Sequence, residues 1–294
     1  MKTIQLNKGT LELPEAWEEL TKEQKIFTVD VLRRLFSHEI APDMARIKML
    51  VHFTGYKHSK KIKDTETREI INFNLIRLAE QLNFAFKVEE NVIIPNFSFK
   101  CNPLPSLTID NVEYSGKIFN LDITAKTNIT AKEFVDAFDL LVAFRTFENE
   151  ASKEECLNQL CAIFYPSEPT HTLNLVGKQI ENMRKVSILE KTLIFFWFTG
   201  IVKLYTEHPV YSVLFSGKKE EPDEDKIRIG ANETALYIHK EGYGNPETMN
   251  LNDYFDAQVK ALKDTINHAI AQGAKETEIS QKTGIPINII HKLS

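Results

Sequence analysis

The segment Ser187–Pro209, SILEKTLIFFWFTGIVKLYTEHP, is the most apolar stretch of the chain and constrains its fold more than any other. Ser187 and Glu190 have the S-x-x-E spacing of a capping box, in which two side chains satisfy backbone N–H groups left open at a helix start. His208-Pro209 closes the stretch, because proline disfavours helix at the residue before it. From Leu193 to Val202 every residue is apolar or small. At about 1.5 Å per residue the eleven residues between Lys191 and Lys203 cover roughly 16 Å, well short of the ~30 Å hydrocarbon core of a bilayer. A helix that is apolar all round but too short to cross a membrane belongs at the centre of a soluble core. Leu193, Phe196, Trp197 and Ile201 are therefore expected to be deeply buried.

The 294 residues suffice for one large domain or two. With 43% hydrophobic and 26% charged residues, the composition is that of a globular chain. A net charge of −5 argues against general nucleic-acid binding, which relies on Lys and Arg to neutralise phosphates. Three cysteines make no disulfide framework and point to a reducing compartment. The N-terminus, MKTIQLNKGT, lacks the apolar run of a signal peptide, so a soluble, cytoplasmic protein is expected.

Taken in order, residues 4–13 alternate loosely around Asn7-Lys8-Gly9 and read as a short hairpin. Thr21 and Gln24 form a T-x-x-Q capping box before a helix with Ile26, Val29, Leu32, Leu35 and Phe36 on one face. A second helix, about 42–54, stops at Gly55, and a third spans about 65–83 with Ile70, Ile71, Phe73, Leu75, Leu78 and Leu82. From Asn91 to Thr124 the chemistry changes to prolines, alternating Phe97 and Phe99, and LTIDNVEYSG. Asp110-Asn111 sits there as a two-residue hairpin turn, so an antiparallel element of two to four strands is expected.

Two further capping boxes, Thr130 with Glu133 and Ser152 with Glu155, open helices before the central one. The acidic run KKEEPDEDK at 218–226 reads as a solvated loop, followed by helices near 232–241 and 250–272. The fold class is thus α+β and mostly α-helical. A helical core surrounds the helix 187–208, and a small antiparallel β element is inserted at about 91–124. Residues 1–215 form the main helical domain, 216–231 an acidic loop, and 232–294 a C-terminal helical segment.

Catalytic signals are poor. The eight histidines are scattered, with no H-E-x-x-H cluster. Cys156 and Cys161 point some 140° apart on a helix, so they cannot share a metal as a C-x-x-C pair can. Gly242-Tyr243-Gly244 lacks the third glycine and helix start of a dinucleotide site. There is no phosphate-binding loop, nucleophile elbow or calcium loop. No enzyme activity, cofactor or metal is expected.

The C-terminus carries the one local motif with a mechanism. Ser280-Gln281-Lys282-Thr283-Gly284-Ile285 resembles the centre of a helix-turn-helix, with Ile279, Ile285, Ile289 and Leu293 as its small core and a second helix starting near Pro286. Lys275, Lys282, His291 and Lys292 are its candidate nucleic-acid contacts. Glu276 and Glu278 offset Lys275 and Lys282, which makes it a weak DNA reader. A helical hairpin used for docking or capping is the simpler reading.

Several segments together resemble a group of uncharacterised proteins encoded beside tail genes in phages and prophages of Bacteroidetes. These look like tail-assembly chaperones in size class and genomic setting. The matching pieces are LPEAWEELTKEQ at 13–24, NPLPSLTIDNVEYSG at 102–116, NITAKEFVDAF at 128–138, LNQLCAIFYP at 157–166 and FFWFTGIVKLYTEHPVYSVLF at 195–215. The C-terminal segment departs from that pattern.

The resemblance implies a non-enzymatic phage morphogenesis protein acting by protein–protein contacts, as a tail-assembly chaperone or a structural component of the tail or neck. Its partners would be tape-measure or tube-type tail proteins, or further copies of itself. Incorporation into the virion fits the structural-component role. The interaction surfaces expected are the helical face around 130–165, with Phe134, Phe138, Leu141 and Phe144, and the segment after Gln272. The rival class is a nucleic-acid-binding regulator using residues 274–294.

Overall fold

The structure is a computed structural model and describes residues 1–6, 9–57, 64–121, 126–167, 173–215, 231–283 and 285–293. An antiparallel hairpin of β1 (Lys2–Leu6) and β2 (Gly9–Leu13) opens the chain. Its expected turn at Asn7-Lys8 lies outside the described residues. Trp17 follows on a short 3-10 turn and is 1% exposed, its indole N–H donating to the Asn96 carbonyl at 2.9 Å.

Three helices come next: α1 (Lys22–Phe36), α2 (Pro42–Thr54) and α3 (Thr65–Ala79). Thr21 and Gln24 form the full reciprocal box at the start of α1. Gly55 ends α2 in the left-handed region, φ 63°, where a side chain would be strained. The third helix was expected to run to residue 83 but ends at Ala79. Asn83 donates to the Glu80 carbonyl at 3.0 Å, and the chain turns so that Leu82 enters the core from outside the helix.

The β chemistry is broader than the expected 91–124. It forms three separate antiparallel pairs: β3 (Phe86–Glu89) with β4 (Val92–Pro95), β5 (Ser106–Ile109) with β6 (Val112–Ser115), and β7 (Phe119–Asn120) with β8 (Lys126–Thr127). Asp110 and Asn111 have φ of 51° and 64°, and Glu90 and Asn91 of 49° and 66°. Two consecutive left-handed residues are what a two-residue hairpin turn requires. A lone hairpin is marginal in water, and each pair is anchored by apolar side chains in the common core: Phe86, Leu107 with Ile109, and Phe119.

The hairpin β5–β6 is also held by polar contacts. The Tyr165 hydroxyl donates to the Leu104 carbonyl at 2.6 Å, and Asn102 donates to the Lys117 carbonyl at 3.0 Å. A Cβ on Gly116 would lie 2.6 Å from the Asn102 amide nitrogen, so this crossing requires glycine.

The remaining helices are α4 (Ala131–Thr146), α5 (Glu150–Phe164), α6 (Leu173–Met183), α7 (Ile188–Glu207), α8 (Ala231–Lys240), α9 (Leu251–Ala271), α10 (Glu276–Thr283) and α11 (Ile287–Leu293). The Thr130–Glu133 box is complete, and Glu133 also pairs with Lys117 at 2.7 Å in a largely buried contact. The box expected at Ser152 does not form. Asn149 caps α5 instead, accepting from the Ser152 N–H at 2.7 Å, so the helix begins earlier. Ser187 caps α7 through the Glu190 N–H at 3.2 Å, and the Glu190 carboxylate accepts from the Ser187 hydroxyl at 2.9 Å.

The centre of the fold is α7. Leu193 and Trp197 are 0% exposed, Phe196 6% and Ile201 2%, with α1, α4 and α5 packed around them. The mostly helical α+β class is thus what the molecule shows. The core does not end at residue 215, however. Ala235 and Ile238 of α8, and Leu251, Tyr254 and Phe255 of α9, belong to the same cluster as α7. A second, smaller cluster joins Val213 and Ile266 to Ile279, Ile285 and Ile290 of the terminal helices. Ile290, not Ile289, is its fully buried member; Ile289 and Leu293 pack at its edge. The acidic run 218–226 lies outside the described residues.

Candidate docking groove

One face of α7 lines a groove between its neighbours, with Ile188, Phe195 and Thr199 half-buried along it and Thr192 and Phe196 buried at its base. Ile188, Thr192, Phe195, Phe196 and Thr199 recur at helical spacing and form a strip along a groove of about 1060 Å³. The C-terminal half of α1 borders it with Asp30, Arg33, Arg34 and Phe36; the end of α4 and start of α5 border it with Phe144, Arg145, Glu150, Lys153, Glu154 and Leu157. Ser37 and Glu39 just past α1, with Ile93, Pro95 and Phe97 of the β4 strand and its exit, complete the lining.

The floor is a continuous run of rings. Phe144 and Phe195 have centroids 4.5 Å apart, Phe195 and Phe196 6.3 Å, Phe196 and Phe97 4.2 Å, and Phe36 meets Phe196 edge-on at 6.1 Å. Aromatic side chains present large apolar area with few rotatable bonds, so little entropy is lost when a partner covers them.

The rim is charged. Arg34 pairs with Glu39 at 3.5 Å and Lys153 with Glu150 at 3.0 Å. Glu154 reaches Lys191 at 3.1 Å, whose side chain is 1% exposed. Arg33 and Arg145 are exposed and belong to no ion pair among the described residues. Both lie in the last turn of their helices, where a cation offsets the partial negative charge of the carbonyl end. Just beyond the groove, Lys22 contacts Glu190 at 2.7 Å. Burial raises the Glu190 carboxyl, but the bonds to Lys22 and Ser187 outweigh this and hold it below its ordinary value.

Of the four side chains expected to meet a partner, only Phe144 lines the groove. Phe134 and Leu141 are buried at 5% and 2%; Phe134 packs edge-on against Phe198, Tyr205 and Phe255. Their faces are taken up by the core, which corrects the expectation that they are surface anchors. Phe138 is half-buried beside Phe134. Arg33, Arg145 and the α7 strip were not singled out in the sequence, because they converge only through packing.

At the C-terminus α10 and α11 pack on each other and on α9. Lys275 is exposed, and His291 stands 3.4 Å from the Glu276 carboxylate. The side chains of Lys282 and Lys292 lie outside the described residues.

Among the described residues no group of three or more His, Cys, Asp or Glu is placed to hold a metal. Cys101, Cys156 and Cys161 are free thiols, and burial pushes all three up from the ordinary thiol range. No described helix is long and apolar enough to cross a membrane. Compared with family models, curated proteins and solved structures, the chain matches none of them.

Proposed function

We propose that this is a non-enzymatic phage morphogenesis protein that works by protein–protein contact, as a tail-assembly chaperone or a structural component of the tail or neck. The phage setting rests on the resemblance of segments between residues 13 and 215. The mode of action rests on the groove, whose phenylalanine floor, half-buried at Phe36, Phe144 and Phe195, and charged rim suit an amphipathic helix laid along α7. A chaperone would cover such a helix on a tape-measure-like protein until polymerisation displaces it. A tail component would keep the contact permanently, over a larger and more apolar area.

Co-expression with candidate tube and tape-measure proteins, followed by light scattering at two salt concentrations, tests this. A complex led by apolar burial persists at the higher salt, and Phe144→Glu weakens it. A second reading, a nucleic-acid-binding regulator, draws on the helix-turn-helix resemblance of the segment that carries α10 and α11. It requires duplex binding that falls steeply with salt. Tight duplex binding together with no affinity for any tail protein would overturn the first reading.

A further inference from the structure

The chain carries a surface suited to the groove as well as the groove itself. Helix α3 buries Ala79 and turns Ile71, Leu75 and Leu78 partly inward, where it packs on α2. Its other face holds Ile70, Phe73 and Ile76, exposed at 55%, 59% and 38%. At 100° per residue these three fall within about 120° of arc, together with Glu66, Glu69 and Arg77. Exposed apolar side chains gathered on one face and rimmed by polar residues are what protein–protein contact sites present. Arg77 sits over the Phe73 ring at 5.8 Å, while Glu66 and Glu69 are exposed and belong to no ion pair among the described residues.

We infer that the groove of one copy receives α3 of a second copy, so that the protein self-associates head to tail. This rests on the reading of the groove as a helix-docking site and names its occupant. Three observations carry it. The apolar stripe of α3 matches the phenylalanine-rich floor in character, apolar to apolar. The free carboxylates of Glu66 and Glu69 complement the free guanidiniums of Arg33 and Arg145, with Asp30 left on the rim for Arg77. The lengths agree: the α7 strip from Ile188 to Thr199 and the α3 face from Glu66 to Arg77 each span roughly 16 Å at about 1.5 Å per residue.

The two surfaces are different patches of the same molecule, so the contact is heterologous. Such contacts close into a ring or continue as an open array. Either product suits a protein that acts during assembly of a tube. The chain as a whole is acidic, so the two arginines supply local attraction against a general repulsion.

Sedimentation or light scattering over a range of protein concentrations reads the association directly. The wild-type chain should exceed monomer mass as concentration rises. Arg33→Glu with Arg145→Glu leaves α3 intact and disables the groove; Phe73→Glu does the converse. Each should weaken self-association more than about tenfold. Mixed together, the two variants should form a 1:1 heterodimer and stop there, since only one good groove and one good α3 remain. Adding Glu66→Arg and Glu69→Arg to the arginine variant should restore assembly by exchanging the charges.

Arg33, Arg145, Glu66, Glu69 and Phe73 are exposed and Phe144 is half-buried, and circular dichroism confirms folding before each comparison. A wild-type chain that stays monomeric at every concentration, or variants that fail to complement, would overturn the inference. If that monomer still captures a tail protein through Arg33 and Arg145, the groove reading stands and only its occupant is wrong. Capture indifferent to those arginines and to Phe144→Glu removes the groove reading as well.

Discussion

Helices α7 and α3 start with the same local device and end in opposite environments. Ser187 caps α7 by accepting the Glu190 N–H at 3.2 Å, and Asp64 caps α3 by accepting the Thr67 N–H at 2.8 Å. Both sequences are rich in large apolar residues. Yet Trp197 is 0% exposed and Phe73 is 59% exposed. The difference lies in the neighbours: among the described residues α7 is flanked by α1, α4 and α5, whereas α3 packs chiefly on α2. Helix formation is a local decision, but burial is decided by how many elements the rest of the chain brings to the same place. An apolar face left over after folding is then available to a partner.

The sharpest way to test the contrast is at its buried end. Trp197→Ala should destabilise the protein by roughly 3–5 kcal/mol, read as a lowered urea midpoint at unchanged slope. An unchanged midpoint would mean that α7 is not the centre of the core. Trp197→Phe sharpens the point, because the indole N–H is buried without an acceptor among the described residues. Losing an unsatisfied donor offsets part of the lost packing, so the Phe variant should fall well short of the Ala variant.

A smaller effect is expected where α7 touches backbone rather than side chains. An ideal Cβ on Gly200 would stand 1.9 Å from the Phe97 carbonyl oxygen. Gly200→Ala gains helix propensity but forces the helix and the Phe97 strand exit apart, for a net loss of about 1–3 kcal/mol. A stabilised variant would show that this crossing is looser than the close approach implies.

What the sequence reveals follows the same division. Local features are legible: the caps at Thr21, Thr130 and Ser187, the Gly55 stop and the Asp110-Asn111 turn all act within a few residues. The span of α7 was legible because an apolar run of that length leaves few alternatives. Its boundary chemistry was not. Lys191 reads as the polar edge of the run, yet it is 0% exposed, with its ammonium on Glu154 of α5. The same limit applies to the site. Phe134, Phe138, Leu141 and Phe144 form one apolar stripe on α4, and periodicity cannot say which part the core will cover. Phe255 and Phe198 cover its beginning, and only Phe144 at its end reaches the groove. Arg33 and Arg145 lie far apart in sequence, and nothing local marks them as partners of one rim.

The smallest expected effect is at the exposed end of the comparison. Phe73→Ala removes a large side chain, but one that is 59% exposed and whose neighbour Arg77 only rests on its ring. Surface truncations of this kind shift stability within about 0.5 kcal/mol, so at dilute concentration the urea midpoint should barely move. The useful variable is protein concentration. If a second copy covers Phe73, the wild-type midpoint rises with concentration because association binds only the folded state, and the variant's does not. A gap that opens with concentration therefore assigns Phe73 to an interface between copies. A loss of more than about 2 kcal/mol already present in the dilute protein would instead place Phe73 in the monomer's own packing, in the range expected of a buried ring. The two helices would then no longer differ in the way the comparison requires.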